Sequence, residues 1–317
     1  MVKHYDVYGR DSFIYFPVSR LDVGTKRELR KFGAEAVKSN AFLMRSHMQY
    51  RTMLMNELGP RAYRDATKSY DILGNIAIVD GDGREARKIA KAVMAMNKNV
   101  RTVVRKDGAV SGIYRTRRYR YVAGEKTYTA TLRENGVVMS FDIRRSFFSN
   151  RLAFERARVS GLVRKGEVVM VMFAGIGPFA LVIGKAHPDS KLIAIELNKA
   201  AYECMLGNIK LNRLKNVKAE LGDVRRMAKK YRHVADRIIM PLPKDSYNFL
   251  DAALAASKRH CVFHYYAFDS ASEPYKEHIE RITRFFEGNG RKVRFIDMRI
   301  VRPYSAREVE IVLDFAT

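Results

Sequence analysis

An apolar run, Val168-Val169-Met170-Val171-Met172, empties into Phe173-Ala174-Gly175-Ile176-Gly177-Pro178-Phe179, and these residue types at this spacing suit a cradle for a nucleotide-like cofactor. Gly175 and Gly177 admit a ligand that a Cβ would hold off, and Pro178 suits a helix start, where a missing N–H costs nothing. About twenty residues on, Glu196 ends a second apolar-leaning run, where a carboxylate can accept from both hydroxyls of a ribose. The glycines alone fit an ordinary strand-to-helix turn equally well; Glu196 narrows the choice. A dinucleotide site has a third glycine and a pyrophosphate at the helix start, the region that Phe179 and Ala180 occupy here. The pattern predicts a cofactor with a ribose and no phosphate, and S-adenosylmethionine is the candidate. Cys204 and Cys261 make neither a disulfide framework nor a ligand cluster, and no metal is expected.

The segment Ile113-Tyr114-Arg115-Thr116-Arg117-Arg118-Tyr119-Arg120-Tyr121 interleaves arginines with tyrosines. On a strand, Arg115, Arg117 and Tyr119 share one face and Arg118 and Arg120 the other. Guanidinium forks grip phosphates or the O6/N7 edge of guanine, and the rings stack on unpaired bases. A solvated basic strand is the bland reading, and the basic chain as a whole favours nucleic-acid contact. Residues 142–158 lead into the cofactor run. Ser149 or Asn150 would cap a helix starting near Arg151. Glu155 then stands one turn in, where a carboxylate near the Gly175 turn could take a proton from a base nitrogen as it is alkylated. An ion pair with Arg151 or Arg158 at helical spacing is the other account. Asp223 can accept from an adenine amino group or cap a helix. Pro241, Pro243 and Lys244 fall at the carboxyl end of a strand, where open α/β sheets bind ligands, and form either a rigid pocket wall or a stiff loop.

Strands and helices must hold these residues. From residue 167 onward they alternate: strands at 168–172, 191–196, 217–221, 237–240 and 261–266, helices at 178–186, 199–212, 224–231, 247–256 and 273–287, then strands at 293–301 and 308–315. This predicts an α/β, Rossmann-like domain: a mostly parallel sheet with helices on both faces, closed by an antiparallel pair. That ending is common in methyltransferase folds. Ahead of it, a strand at 70–79, the turn Asp80-Gly81-Asp82-Gly83 and a helix at 84–96 make a small α+β domain. A short strand at 13–18 and helical spacing over 24–65 precede that. The expected division is a short basic leading segment at 1–65, a small α+β domain at 66–145 and the Rossmann-like domain at 146–317. The net charge of +25, from 59 Lys and Arg against 34 Asp and Glu, predicts a polyanionic partner held less tightly as salt rises. No run approaches the ~20 apolar residues of a membrane span. The sparse cysteines suit a reducing cytoplasm.

Taken in order, the segments resemble the archaeal and eukaryotic family of tRNA (guanine-N1)-methyltransferases that act at position 37, beside the anticodon. The residues that carry the resemblance are Tyr70-Asp71-Ile72-Leu73-Gly74-Asn75, Ala123-Gly124-Glu125, Arg133-Glu134-Asn135-Gly136, Phe148-Ser149-x-Arg151-Leu152, Glu155-Arg156, the run from Met172 to Phe179, His264-Tyr265-Tyr266 and Leu313-Asp314-Phe315. The resemblance implies an S-adenosylmethionine-dependent enzyme that acts on tRNA, with residues 1–65 as a truncated tRNA-recognition domain, 66–145 as a tRNA-binding domain and 146–317 as the methyltransferase domain; a monomer is expected. It implies Glu155 as the base that removes the guanine N1 proton and Arg115 as donor to O6. It places Glu196 and Asp223 at the cofactor, Arg151 and Phe173 in the lining of cofactor and substrate, and Arg117, Arg118, Tyr119, Arg120, Pro241, Pro243 and Lys244 toward RNA. Val171 stands where the family commonly has Asp, and Pro241 where some members have Asn. The related aminocarboxypropyl transfer, carbon methylation of a wybutosine precursor and a silent RNA-binding relative are the alternatives.

Overall fold

The computed structural model describes residues 8–10, 13–15, 43–66, 69–108, 112 and 116–317, with side chains from Tyr50 onward. Arg115 lies outside the described residues, and so does the helical expectation over 24–42. By their contacts the residues fall into two compact units, the second made of 72–76, 106–120 and 126–317. Strands β1 (Tyr8–Arg10) and β2 (Phe13–Tyr15) pair antiparallel. Helices α1 (Leu43–Leu58) and α2 (Pro60–Asp65) follow. Strands β3 (Asp71–Leu73) and β4 (Ile76–Val79) stand where a single strand over 70–79 is predicted. The break has a cause at Gly74: its φ is 57°, and a Cβ there would lie 1.9 Å from the Thr131 carbonyl oxygen. Helix α3 (Gly83–Met96) starts on Asp82, whose carboxylate accepts from the N–H groups of Arg84 and Glu85 at 2.8 Å. Strands β5 (Thr102–Lys106) and β6 (Tyr119–Gly124) complete a four-stranded sheet in the order β3-β4-β5-β6. Among the described residues of the strand expected over 113–121, regular strand runs from Tyr119 onward. Arg117 and Arg118 precede it, and the predicted two-faced arginine ladder does not form through them.

The second unit carries the larger sheet. A hairpin of β7 (Thr129–Glu134) and β8 (Val137–Asp142) turns on Asn135-Gly136, both at positive φ (46° and 79°), as a two-residue turn between twisted strands requires. No side chain of Ser149 or Asn150 caps the next helix. Asn150 Nδ2 instead donates to the Ile72 carbonyl at 3.0 Å, residues 150–152 make a 3-10 turn, and α4 (Ala153–Gly161) starts after it. Then come β9 (Val168–Val171), α5 (Pro178–Ala186), β10 (Lys191–Glu196), α6 (Lys199–Leu211), β11 (Val217–Leu221), α7 (Val224–Lys230), β12 (Ala235–Met240), α8 (Leu250–Ala256), β13 (Ser257–Ser270), α9 (Lys276–Gly288), β14 (Arg294–Pro303) and β15 (Glu308–Ala316).

The seven strands lie in the order β11-β10-β9-β12-β13-β15-β14. Neighbours from β11 to β13 are parallel, and β15 runs antiparallel between β13 and β14. Strand alternation divides the core. Met170, Ile193, Ile238, Phe263 and Phe315 pack with α7, α8 and α9, whereas Val171, Leu192, Ile239, Tyr266 and Val312 pack with α4, α5 and α6. A sheet apolar on both faces needs helices on both, which is what the alternation of the sequence builds.

Candidate active site

The turn between β9 and α5 sits at the carboxyl end of the parallel strands. Gly177 caps α5 with φ 91°, and a Cβ on it would come 2.9 Å from Met205 Cγ of α6, so glycine is required by conformation and by space. Gly175 has φ 59°, and in front of it a Cβ would meet only the Phe147 carbonyl oxygen at 3.8 Å. Phe173 adopts φ 54° without being glycine, a strained conformation of the kind that gathers at functional turns, and its ring meets Phe249 edge-on at 4.7 Å. Phe179, at the first turn of α5, is buried in the core against Tyr266.

Glu196 ends β10 and grips this turn. Its Oε2 accepts from the Gly175 N–H at 2.6 Å and its Oε1 from the Asn198 N–H at 2.7 Å. Burial pushes its carboxyl above the usual range, against the opposing pull of the backbone donors. Two asparagines that the sequence reading passed over brace the same region. Buried Asn208 donates to the Ile176 carbonyl at 3.1 Å and accepts from Ser140 N–H, and Asn198 donates to the Arg145 carbonyl. Asp223 caps α7, accepting from Arg225 N–H at 2.8 Å through Oδ1. The loop bearing Pro241, Pro243 and Lys244 is stiffened by Ser246, whose hydroxyl donates to the carbonyls of Met240 and Leu242, while Phe268 N–H donates to the Pro243 carbonyl.

Glu155 is 4 % exposed and paired, through the Arg158 alternative rather than Arg151. Arg158 Nη2 and Nε donate to its Oε1 and Oε2 at 2.7 and 2.8 Å, and the Tyr266 hydroxyl donates to Oε1 at 2.6 Å. A carboxylate has about four acceptor positions, so among the described residues one is left, on Oε2. Arg158 is shared: its Nη1 donates to Asp314 at 2.6 Å. Asp314 also accepts from His264 Nδ1 at 2.7 Å, His264 Nε2 accepts from Arg237 Nη1 at 2.8 Å, and Arg237 is paired with Glu167 at 2.7 Å. Arginine can only donate, which fixes the His264 proton on Nδ1. Burial alone would raise the Asp314 carboxyl, but the hydrogen bonds from His264 and Arg158 and the charge of Arg158 hold it below the usual carboxylate range. The reading of the sequence assigned no role to His264, Tyr266 or Asp314. Their signal was an ionisable or hydroxyl residue inside a run otherwise apolar. Arg156 binds Glu134 through both forks at 2.5 Å and so ties α4 to the β7–β8 hairpin.

Arg117, Arg118 and Tyr119 line a cavity of about 250 Å³ together with Asp107, Thr116 and Arg144. Arg117 Nε is buried there without a hydrogen-bond partner among the described residues. Arg120 pairs with Asp107 at 3.0 Å. Arg151 lies exposed on the 3-10 turn. His260 and His264 stand four apart on β13, but His260 is exposed, and no group of three or more His, Cys, Asp or Glu among the described residues could hold a metal. No helix among them is long and apolar enough to cross a membrane.

A glycine turn braced by a strand-end carboxylate, on a doubly covered parallel sheet with an antiparallel closing strand, defines the class: a Rossmann-like methyltransferase fold. The model of the TRM5/TYW2 methyltransferase domain matches residues 130–294, and the model of the TYW2 N-terminal domain matches residues 50–127. The chain belongs to the TRM5/TYW2 methyltransferase family. It is 39 % identical over 250 residues to tRNA (guanine(37)-N(1))-methyltransferase Trm5b of Pyrococcus abyssi, covering 78 % of this chain and 74 % of the relative. The solved complex of aTrm5 with tRNALeu is similar with a TM-score of 0.73 and 28 % identity, covering 99 % of this chain and 92 % of that one. Methanocaldococcus jannaschii TYW2, solved with AdoMet, has a TM-score of 0.62 and 26 % identity over 78 % of this chain and 98 % of its own.

Proposed function

We propose that this protein transfers the methyl group of S-adenosylmethionine to N1 of guanine at position 37 of tRNA. The observation that carries the proposal is the Gly175–Gly177 turn braced by Glu196, in a chain 39 % identical to an enzyme named for that reaction. The residues present fit the cofactor. Gly175 has open space before it, Glu196 can turn a remaining lone pair toward a ribose, and Asp223 keeps Oδ2 for an adenine amino group. When bound, S-adenosylmethionine supplies a methyl carbon to the N1 electron pair and leaves as a neutral thioether.

The remaining work belongs to the chain. Glu155 takes the N1 proton at Oε2, the position that its partners leave over. Arg115 steadies the charge that gathers on O6 as the proton leaves, and Arg151 and Phe173 line the site. Residues 66–145 present the arginines that hold RNA. Arg117, with its unpartnered buried Nε, grips phosphate together with Arg118, Arg120 and the Tyr119 ring, and Pro241, Pro243 and Lys244 wall the extruded base. The protein acts as a monomer in the cytoplasm, in keeping with its two unpaired cysteines.

One observation favours a second reading: residues 50–127 match the model of the TYW2 N-terminal domain, which suits aminocarboxypropyl transfer to a wybutosine precursor. A single assay separates the two. Incubation of S-adenosylmethionine with unmodified tRNA bearing guanine or adenine at position 37, and in parallel with tRNA bearing the wybutosine precursor, followed by mass analysis of the product nucleosides, is expected to give N1-methylguanine from the guanine tRNA and no product from the other two. A mass gain of an aminocarboxypropyl group on the modified precursor, with no N1-methylguanine, would overturn the proposal.

A further inference from the structure

Beneath α4 the sheet face changes character. Glu167, Arg237, His264, Asp314, Arg158 and Glu155 form one unbroken chain of charge-assisted hydrogen bonds, every side chain in it between 0 and 12 % exposed. Alternation along the strands explains why. Arg237, His264 and Asp314 hold the positions next to Ile238, Phe263 and Leu313, so they face away from the core beneath α8 and α9 and toward α4. With His264 neutral, three carboxylates stand against two guanidiniums, and the buried chain carries one negative charge in excess. Such a chain becomes neutral by taking up one proton.

The geometry points to Asp314 as a positioning residue for proton transfer: by holding Arg158 from the side opposite Glu155, it keeps Glu155 in place and able to take and keep the proton released by the substrate base. This rests on Glu155 being the acceptor. Arg158 cannot relay the proton, because a guanidinium gives none up, so Asp314 acts through charge and geometry alone. While Glu155 is ionised, Arg158 is divided between two carboxylates. Once Oε2 has received the N1 proton, Arg158 is balanced by Asp314, and neither ion is left buried and unpaired. The groups that face Glu155 are Arg158 on its own helix, Tyr266 on β13 and, through Arg158, Asp314 on β15 and Asp297 on β14, the last at 3.9 Å from Arg158 Nη1. Burial raises the Tyr266 hydroxyl well above its ordinary range, so it remains a donor throughout.

The test is the single-turnover methyl-transfer rate as a function of pH, measured beside tRNA affinity and thermal melting. Asp314→Asn gives Arg158 wholly to Glu155, which then holds a proton less readily. The acid limb is expected to move to lower pH and the plateau to fall about tenfold, with tRNA affinity unchanged. Asp314→Glu is expected to restore both. Arg158→Lys, whose single ammonium cannot serve both carboxylates, is expected to move the limb the other way, and it serves as the second variant if Asp314→Asn does not fold. In a Glu155→Gln background, Asp314→Asn should slow the reaction no further. A lowered melting point with an unmoved pH limb in both Asp314→Asn and Arg158→Lys would overturn the inference and leave a structural network. A Glu155→Gln protein at full rate would instead remove Glu155 as the acceptor, and this inference with it.

Discussion

Arg117 buries an Nε with no acceptor among the described residues, beside Arg118 and Arg144 at a cavity of about 250 Å³. An unpaired buried donor on a cation is costly, and a phosphate or base edge would satisfy it. Arg117→Ala is expected to weaken tRNA binding by about tenfold and to reduce the slope of log affinity against log salt by about one. Filter binding over a salt series would read this, and an unchanged slope would make Arg117 a packing residue. At this scale the sequence was legible in kind rather than in partner. For Glu155 and Asp223 both readings were visible in advance, and the structure supplies the ion pair and the cap without removing either chemical role. For His264 and Asp314 only the anomaly was visible, a charge inside an apolar strand. Their meeting depends on which strands become neighbours, and that is decided by contacts across 50 residues of chain.

Elements were read more closely than residues. Helix α5 and strand β11 fall on their expected boundaries because a proline starts one and short, one-sided apolar runs bound the other. Strand β13 is longer than the apolar run 261–266 because Ala267–Ser270 find partners in β15, and a ladder can extend through polar residues once a neighbour offers its backbone. The single strand expected over 70–79 divides because Gly74 must approach the Thr131 carbonyl, a demand set by a distant hairpin. At the cofactor turn the requirement is local. Gly177→Ala would force a Cβ into φ 91° and to within 2.9 Å of Met205, at a cost of about 1–3 kcal/mol. Denaturant unfolding should show that loss together with weaker cofactor binding. Gly161→Ala, at the end of α4 with nothing within 4 Å of the added carbon, should change stability by no more than about 0.5 kcal/mol. Equal stability for the two variants would mean that Met205 yields freely and that the turn is not braced.

The whole molecule adds what no element does, a net charge of +25. The buried and half-buried carboxylates at Glu155, Asp314, Glu134, Glu167 and Glu310 are held by Arg158, which Glu155 and Asp314 share, and by Arg156, Arg237 and Arg302, so these groups leave no positive charge over and the excess of the chain falls to exposed side chains. Much of that surface lies outside the arginine segment, so the electrostatic attraction to RNA should be broad and its removal gradual. If six or more phosphates are neutralised in the complex, affinity for tRNA falls by about a thousandfold or more between roughly 50 and 200 mM salt. The plateau rate of methyl transfer at saturating tRNA should barely change over the same range, because the ion pairs beneath α4 are buried and little screened. Titrating tRNA at several salt concentrations, with a single-turnover rate taken at each plateau, separates the two effects. A transfer rate that falls in step with affinity would place exposed, screenable charge inside the chemical step and shift the argument from the buried network to the basic surface.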